Sequence, residues 1–185
     1  DKILDIIETS AGKITSLVKD FSDHLHRQSD EITDGNEVNL LHILETDLPL
    51  LEYLFNSRSI SLDTDLKSTL PPISGNPGEL ETALLILMWE LEARLSSGGS
   101  ASISAGVDNE IVFVDLQGFA KDPTAQSEDS PLMSSERVRM ASAILGRLGA
   151  GLQAEGPRAG KVGFRLSLVP AGRPLFHWSP AAMGE

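Results

Sequence analysis

The sequence predicts an α/β sandwich, with helices on one face of a mixed sheet, preceded by a long helix of the kind that packs in a bundle. Three observations carry this expectation. Ile3, Ile7, Ser10, Ile14, Leu17, Phe21 and His24 recur at alternating spacings of four and three, flanked by Leu4, Ala11, Val18 and Leu25, which is a heptad seam with a widened stripe. Beyond it, helical and alternating patterns follow in the order α-β-α-β-β-α-β-β, the signature of helices layered on a sheet. Turn-forming clusters separate the patterns at Asp34-Gly35-Asn36, at 75–78 and at Ser96-Ser97-Gly98-Gly99.

The first helix spans about 32 residues, ending near Ile32. Gly12 is its one helix-weakening residue, at a cost of about 1 kcal/mol. A second helix is predicted over 38–55, with Leu40, Leu41, Leu44, Leu48, Leu51 and Leu54 on or near one face and a kink or restart at Pro49. Residues 60–66 alternate and read as a half-buried strand, and 70–78 as a loop. A third helix over 79–95 is apolar at Leu80, Ala83, Leu84, Leu87, Met88, Leu91 and Leu95. Residues 100–105 and 110–116 form a predicted hairpin, 119–131 a polar loop with two prolines, and 135–148 a fourth helix. A last hairpin pairs 152–155 with 162–169. The expected core is Leu80, Leu84, Leu87, Leu91, Val112, Val114, Ile144, Phe164 and Leu166. Three segments result: a stem helix over 1–34, an α/β domain over 38–170, and a Pro/Gly-rich tail over 171–185 with an apolar patch at Leu175, Phe176 and Trp178.

Composition narrows the function. The 185 residues carry a net charge of −12 and only 5% aromatics, so phosphate backbones and anionic lipid surfaces are repelled. Nucleic acid is excluded as a partner, and no direct membrane contact is expected of this segment. No run approaches the roughly 18 apolar residues that span a bilayer. The absence of cysteine removes disulfides and thiolate metal sites and fits a cytoplasmic setting. Because the chain opens on Asp1, it is expected to be part of a longer protein, which leaves room for a membrane segment upstream.

The stretch 75–95, beginning Gly75-Asn76-Pro77 and continuing through Leu80, Leu84, Leu87 and Glu90, resembles a segment of sensor histidine kinases in which a Gly-Asp-Pro turn opens an Asn-bearing helix. Val38-Asn39-Leu40 is similar to the start of the catalytic domain in that family, and Ile14 to Asp20 to the second helix of its dimerisation and phosphotransfer stem. Ile111 to Asp115 resembles the strand ending in the adenine-binding Asp; 144–152 and 163–170 resemble the closing helix, Gly-Gly turn and last strand. The resemblance covers about residues 1–170 and rests on the shared order of individually weak pieces. It implies a histidine-kinase-type ATPase fold behind a stem helix.

The same resemblance locates the nucleotide site and shows it eroded. The magnesium-coordinating Asn corresponds to Glu90 and the Asn one turn earlier to Ile86. A carboxylate can ligate magnesium, yet it also repels a triphosphate. Asp115 keeps the adenine position, but the Gly-x-Gly after it is Gln117-Gly118-Phe119, and a Phe there is expected to fill the adenine slot or force the loop elsewhere. The glycines that cradle phosphate at a helix N-terminus correspond to Met133, Ser135 and Arg137, with Ser134 or Ser135 available as a helix N-cap. Arg137 and Arg139 read as ion-pair partners of nearby carboxylates. The lid segment 121–131 has one Lys and three acids, the wrong balance for closing over a triphosphate.

The remnants that could form a nucleotide site are therefore Glu90, Asp115, Gly118 and Arg137, with Glu90 as the metal position. No catalytic residue is assigned. His24 and His26 fall late on the stem helix, His42 and His177 lack any catalytic constellation, and the family's phosphoaccepting His would precede Asp1. The expectation is a histidine-kinase-like module of a two-component phosphorelay, with weak or lost ATP binding and no cofactor. It acts through a homodimer made by the N-terminal helix and through protein contacts, a response-regulator receiver domain among them. Two alternatives stay open: an active kinase with divergent motifs, using ATP and magnesium, and an ATP-independent histidine phosphotransferase.

Overall fold

The computed structural model describes residues 37–122, 132–158 and 160–172. The chain divides between Gly35 and Asn36, and all described residues belong to the second unit. The stem-helix and tail expectations lie outside the described residues.

Helix α1 (Leu40–Ser57) begins where the Asn39 side chain accepts a hydrogen bond from the His42 amide at 3.1 Å. It runs unbroken through Pro49 rather than restarting there. Pro49 removes one backbone donor, but burial of Leu44, Leu51 and Phe55 on either side holds the helix together. Its buried stripe is Leu40, Ile43, Leu44, Asp47, Leu51 and Phe55, turned from the predicted one so that Leu48 and Leu54 lie at its edge and Asp47 within it. Helix α2 (Pro77–Arg94) has Pro77 in its first turn, Asn76 accepting from the Glu79 amide at 3.1 Å, an acid at the start and Arg94 at the end. All four features favour that helix direction. Ten of its residues are buried, because it lies between the sheet, α1 and helix α3 (Glu136–Arg147).

The five-stranded sheet has the order β2-β4-β5-β7-β6, from β2 (Ser61–Leu66), β4 (Ser100–Asp108), β5 (Ile111–Phe119), β6 (Gly151–Arg158) and β7 (Lys161–Leu168). β2 and β4 are parallel and the other pairs antiparallel, so the sheet is mixed, as expected. A separate antiparallel pair joins β1 (Glu37–Val38) to β3 (Ile73–Ser74), the latter inside the predicted loop. The β4–β5 turn places Asn109 and Glu110 at φ 47 and 67, the left-handed pair that suits the twist of a two-residue hairpin.

The core forms as predicted with one exception. Leu80, Leu84, Leu87, Leu91, Val112, Val114, Phe164 and Leu166 are buried, whereas Ile144 is half-buried and α3 turns Val138, Ala141 and Leu145 inward. None of the described helices is long and apolar enough to cross a membrane.

Candidate functional site: an ion-paired remnant split across the sheet

Glu90 sits in the last turn but one of α2, with its side chain only 8% exposed. Two guanidiniums accompany it. Arg94 Nε donates to Glu90 Oε1 at 2.8 Å, and Arg137 places a terminal nitrogen 3.9 Å from Oε2. The Arg94 contact spans one helical turn, and the Arg137 contact ties α2 to the first turn of α3. Burial of a carboxylate is tolerated where opposite charge and hydrogen bonding accompany it. Glu92, on the same helix, is similarly engaged by Arg58 at 2.6 Å.

The segment corresponding to a phosphate cradle is a short 3-10 turn, Leu132–Ser134, leading into α3. Met133 is exposed, and Ser135 holds the N-cap position without making a side-chain cap bond. Glu136 lies in the first turn of α3, so the positive end of that helix already has a carboxylate beside it. Arg137 has 57% of its side chain exposed.

Asp115 is elsewhere. β5 does not end at this residue but continues four residues further to Phe119, paired without a break to β4 on one side and, from Val112, to β7 on the other. In such a strand alternate side chains face opposite ways. Val112, Val114, Leu116 and Gly118 are buried, and a Cβ on Gly118 would lie 2.9 Å from Leu91 and 3.0 Å from Leu95 of the α2 region. The even positions thus face the helix layer. Phe113, Asp115, Gln117 and Phe119 face the other side. There Arg165 Nε lies 3.5 Å from Asp115 Oδ1 while its guanidinium covers the Phe113 ring at 4.9 Å. Burial raises the Asp115 carboxyl above its ordinary value; Arg165 and Lys161 oppose that rise, and Glu155 adds to it.

The structure therefore joins Glu90 with Arg137 and separates both from Asp115 by the thickness of the sheet. Gly118 faces the helices, but the space before it is taken by leucines. Phe119 neither fills a pocket under the helices nor begins a loop; it ends the strand on the outer face, 41% exposed. Period-two counting from Val112 and Val114 along the predicted strand 110–116 places Asp115 outward, although the resemblance implied an Asp at the end of that strand. Residues 123–131, within the lid expectation, lie outside the described residues. No cluster of His, Cys, Asp and Glu suited to a metal occurs among the described residues.

Asp47 and Glu81 were missed. Both are buried, at 5% and 2% exposure, and burial first, then the nearby Glu81 carboxyl, holds the Asp47 carboxyl well above its ordinary value. The signal was Asp47 falling in step with Leu40, Ile43, Leu44 and Leu51.

Solved structures share this architecture. The histidine kinase AdeS of Acinetobacter baumannii matches with a TM-score of 0.59 at 17% identity, over 91% of this chain and 85% of that one. The catalytic domain of histidine kinase ThkA, in a nucleotide-free form, matches at 0.58 and 14%, over 74% of this chain and 96% of that one. The cytoplasmic segment of histidine kinase QseC matches at 0.57 and 13%, over 84% and 94%. No protein-family model matches the sequence, and no curated protein matches it. The fold is that of the catalytic domains of histidine kinases, a mixed five-stranded sheet with its helices on one face.

Proposed function

We propose that the chain is a histidine-kinase-like signalling module of a two-component system that has given up its nucleotide and works by protein contact. One observation carries this reading: the carboxylate at the magnesium position is spent on Arg94 and Arg137, while the Asp at the adenine position lies on the far face of the sheet. A magnesium–triphosphate needs these groups on one side and free to engage it. Here the arginine at the phosphate turn neutralises Glu90 instead, and Glu136 adds negative charge where phosphate would approach. The residues do not fit the cofactor.

Exposed apolar side chains flank the ion pair, which supports contact with protein in place of nucleotide. Trp89 precedes Glu90, Met133 precedes α3, and Met140 lies one turn beyond Arg137, all 39% or more exposed. The partners proposed are a second copy, through residues 1–34, and a receiver domain. Titration calorimetry of the full chain with magnesium-ATP tests the loss of nucleotide. No saturable heat is expected, and micromolar affinity refutes the reading. Glu90→Asn alone is expected not to restore binding, since Arg137 and Glu136 still occupy the phosphate side; a clear rescue would place the whole defect at one residue.

A further inference from the structure

The two edges of the five-stranded sheet differ. β6 pairs irregularly between Glu155 and Arg158 and contains Pro157, features that keep a sheet edge from adding a further strand. β2 has neither. Its six residues, Ser61–Leu66, pair with β4 in one unbroken parallel register. Among the described residues, no strand lies on its other side.

The phase of the ladder shows which backbone groups this leaves. The Ser61 amide donates to the Gly99 carbonyl at 3.2 Å, and the Lys67 amide to the Ala105 carbonyl at 3.3 Å. In a parallel pair every second residue turns its amide and carbonyl to the neighbour, so the odd-numbered residues face β4. The amides and carbonyls of Leu62, Thr64 and Leu66 therefore point away from the sheet. Side chains alternate as well. Leu62 and Leu66 stand in register with the buried Ala101 and Ala105, on the helix-layer face, and remain half-buried. Asp63 and Asp65 stand in register with Ser102 and Ser104 on the opposite face and are exposed. Lys67, just beyond the strand, reaches across β4, its Cε 3.4 Å from where a Cβ on Gly106 would lie.

We propose that β2 is a docking edge for an extended segment of a partner protein that alternates apolar and basic residues. Such a segment joins the sheet through the outward backbone groups of Leu62, Thr64 and Leu66. Its apolar side chains lie beside Leu62 and Leu66, and its Lys or Arg side chains beside Asp63 and Asp65. Charge selects this occupant. A second copy would set its own Asp63 and Asp65 against these acids, which is unfavourable. The net charge of −12 likewise repels another copy and attracts a basic segment. Docking at β2 requires neither the contact proposed at α2 and α3 nor the loss of nucleotide.

Titration of the full chain with a labelled synthetic peptide of alternating valine and lysine tests it, read by fluorescence anisotropy and by amide hydrogen exchange. A control peptide carries glutamate in place of lysine. The lysine peptide should bind saturably and slow exchange at Leu62, Thr64 and Leu66, leaving Ser61, Asp63 and Asp65, whose amides β4 already holds, unchanged. The glutamate peptide should not bind. Asp63→Asn combined with Asp65→Asn should weaken the lysine peptide about tenfold, as for the loss of two solvent-screened ion pairs. Thr64→Pro removes one outward amide at an edge position, where proline is tolerated, and should abolish the protection. If that variant does not fold, the paired asparagine variant carries the test. Binding without slowed exchange at the three even positions, equal binding of the glutamate peptide, or no binding at all overturns the docking edge. So does a wild-type self-association that Thr64→Pro removes, because the edge then holds a second copy.

Discussion

Gly118 shows how one residue type can serve different surroundings. In a nucleotide loop a glycine lets backbone approach a ligand; in β5 it lets Leu91 and Leu95 press against the strand. Gly118→Ala would bring a methyl group to 2.9 Å of Leu91. Both leucine ends can move, so the expected cost is about 1–3 kcal/mol, as for modest overpacking, read as a lower urea midpoint with unchanged slope. A neutral result would mean that the space before Gly118 is not filled. Leu87, fully buried on α2, tests the opposite change. Leu87→Ala should cost about 2–5 kcal/mol, the sum of lost transfer energy and a cavity that neighbours only partly fill.

Helix ends separate sequence signals that are used from those that are not. Asn76 and Ser135 both occupy N-cap positions, but Asn76 accepts the Glu79 amide and Ser135 makes no cap bond. Asn76→Ala should therefore destabilise by about 1 kcal/mol, and Ser135→Ala by less than about 0.5 kcal/mol. Equal losses in thermal or urea unfolding would contradict this difference. Pro49 within α1 and Ile144 on α3 are the complementary cases. Pro49 lies inside the predicted helix, which continues through it instead of restarting, and Ile144 was placed in the core because local pattern alone cannot tell which face of a helix meets the core. In α1 the misreading concealed Asp47, since a stripe drawn through Leu48 and Leu54 leaves the acid outside.

For the whole molecule, the heptad seam of the predicted stem helix carries the expectation about assembly. Ile3, Ile7, Ile14, Leu17 and Phe21 are each worth about 1.5–3 kcal/mol when buried, which favours association over exposure. A homodimer through this seam is expected, and Ile14→Asp or Leu17→Asp should yield monomers in light scattering, because a charge in a packed seam has no partner. A wild-type chain that stays monomeric at high concentration would remove this support for the signalling-stem reading. The net charge of −12 adds long-range repulsion between copies, so dimerisation should strengthen with added salt.

Periodicity by itself determined the order of the main helices and strands in the α/β unit and most of its core, since each depends on neighbours a few residues apart; the replacement of the nucleotide motifs came from the resemblance to sensor histidine kinases. Periodicity could not determine where β5 ends, because a strand continues or stops according to pairing with β4 and β7, which come from distant parts of the chain. That pairing decided that Asp115 lies within the strand and not at its end. Packing of α2 against α3 likewise decided that Glu90 would meet Arg137, 47 positions away by number. The burial of Asp47 and Glu81 was decided in the same way: each acid is unremarkable in its own helical pattern, and only the packing of the helices into one core placed both away from water.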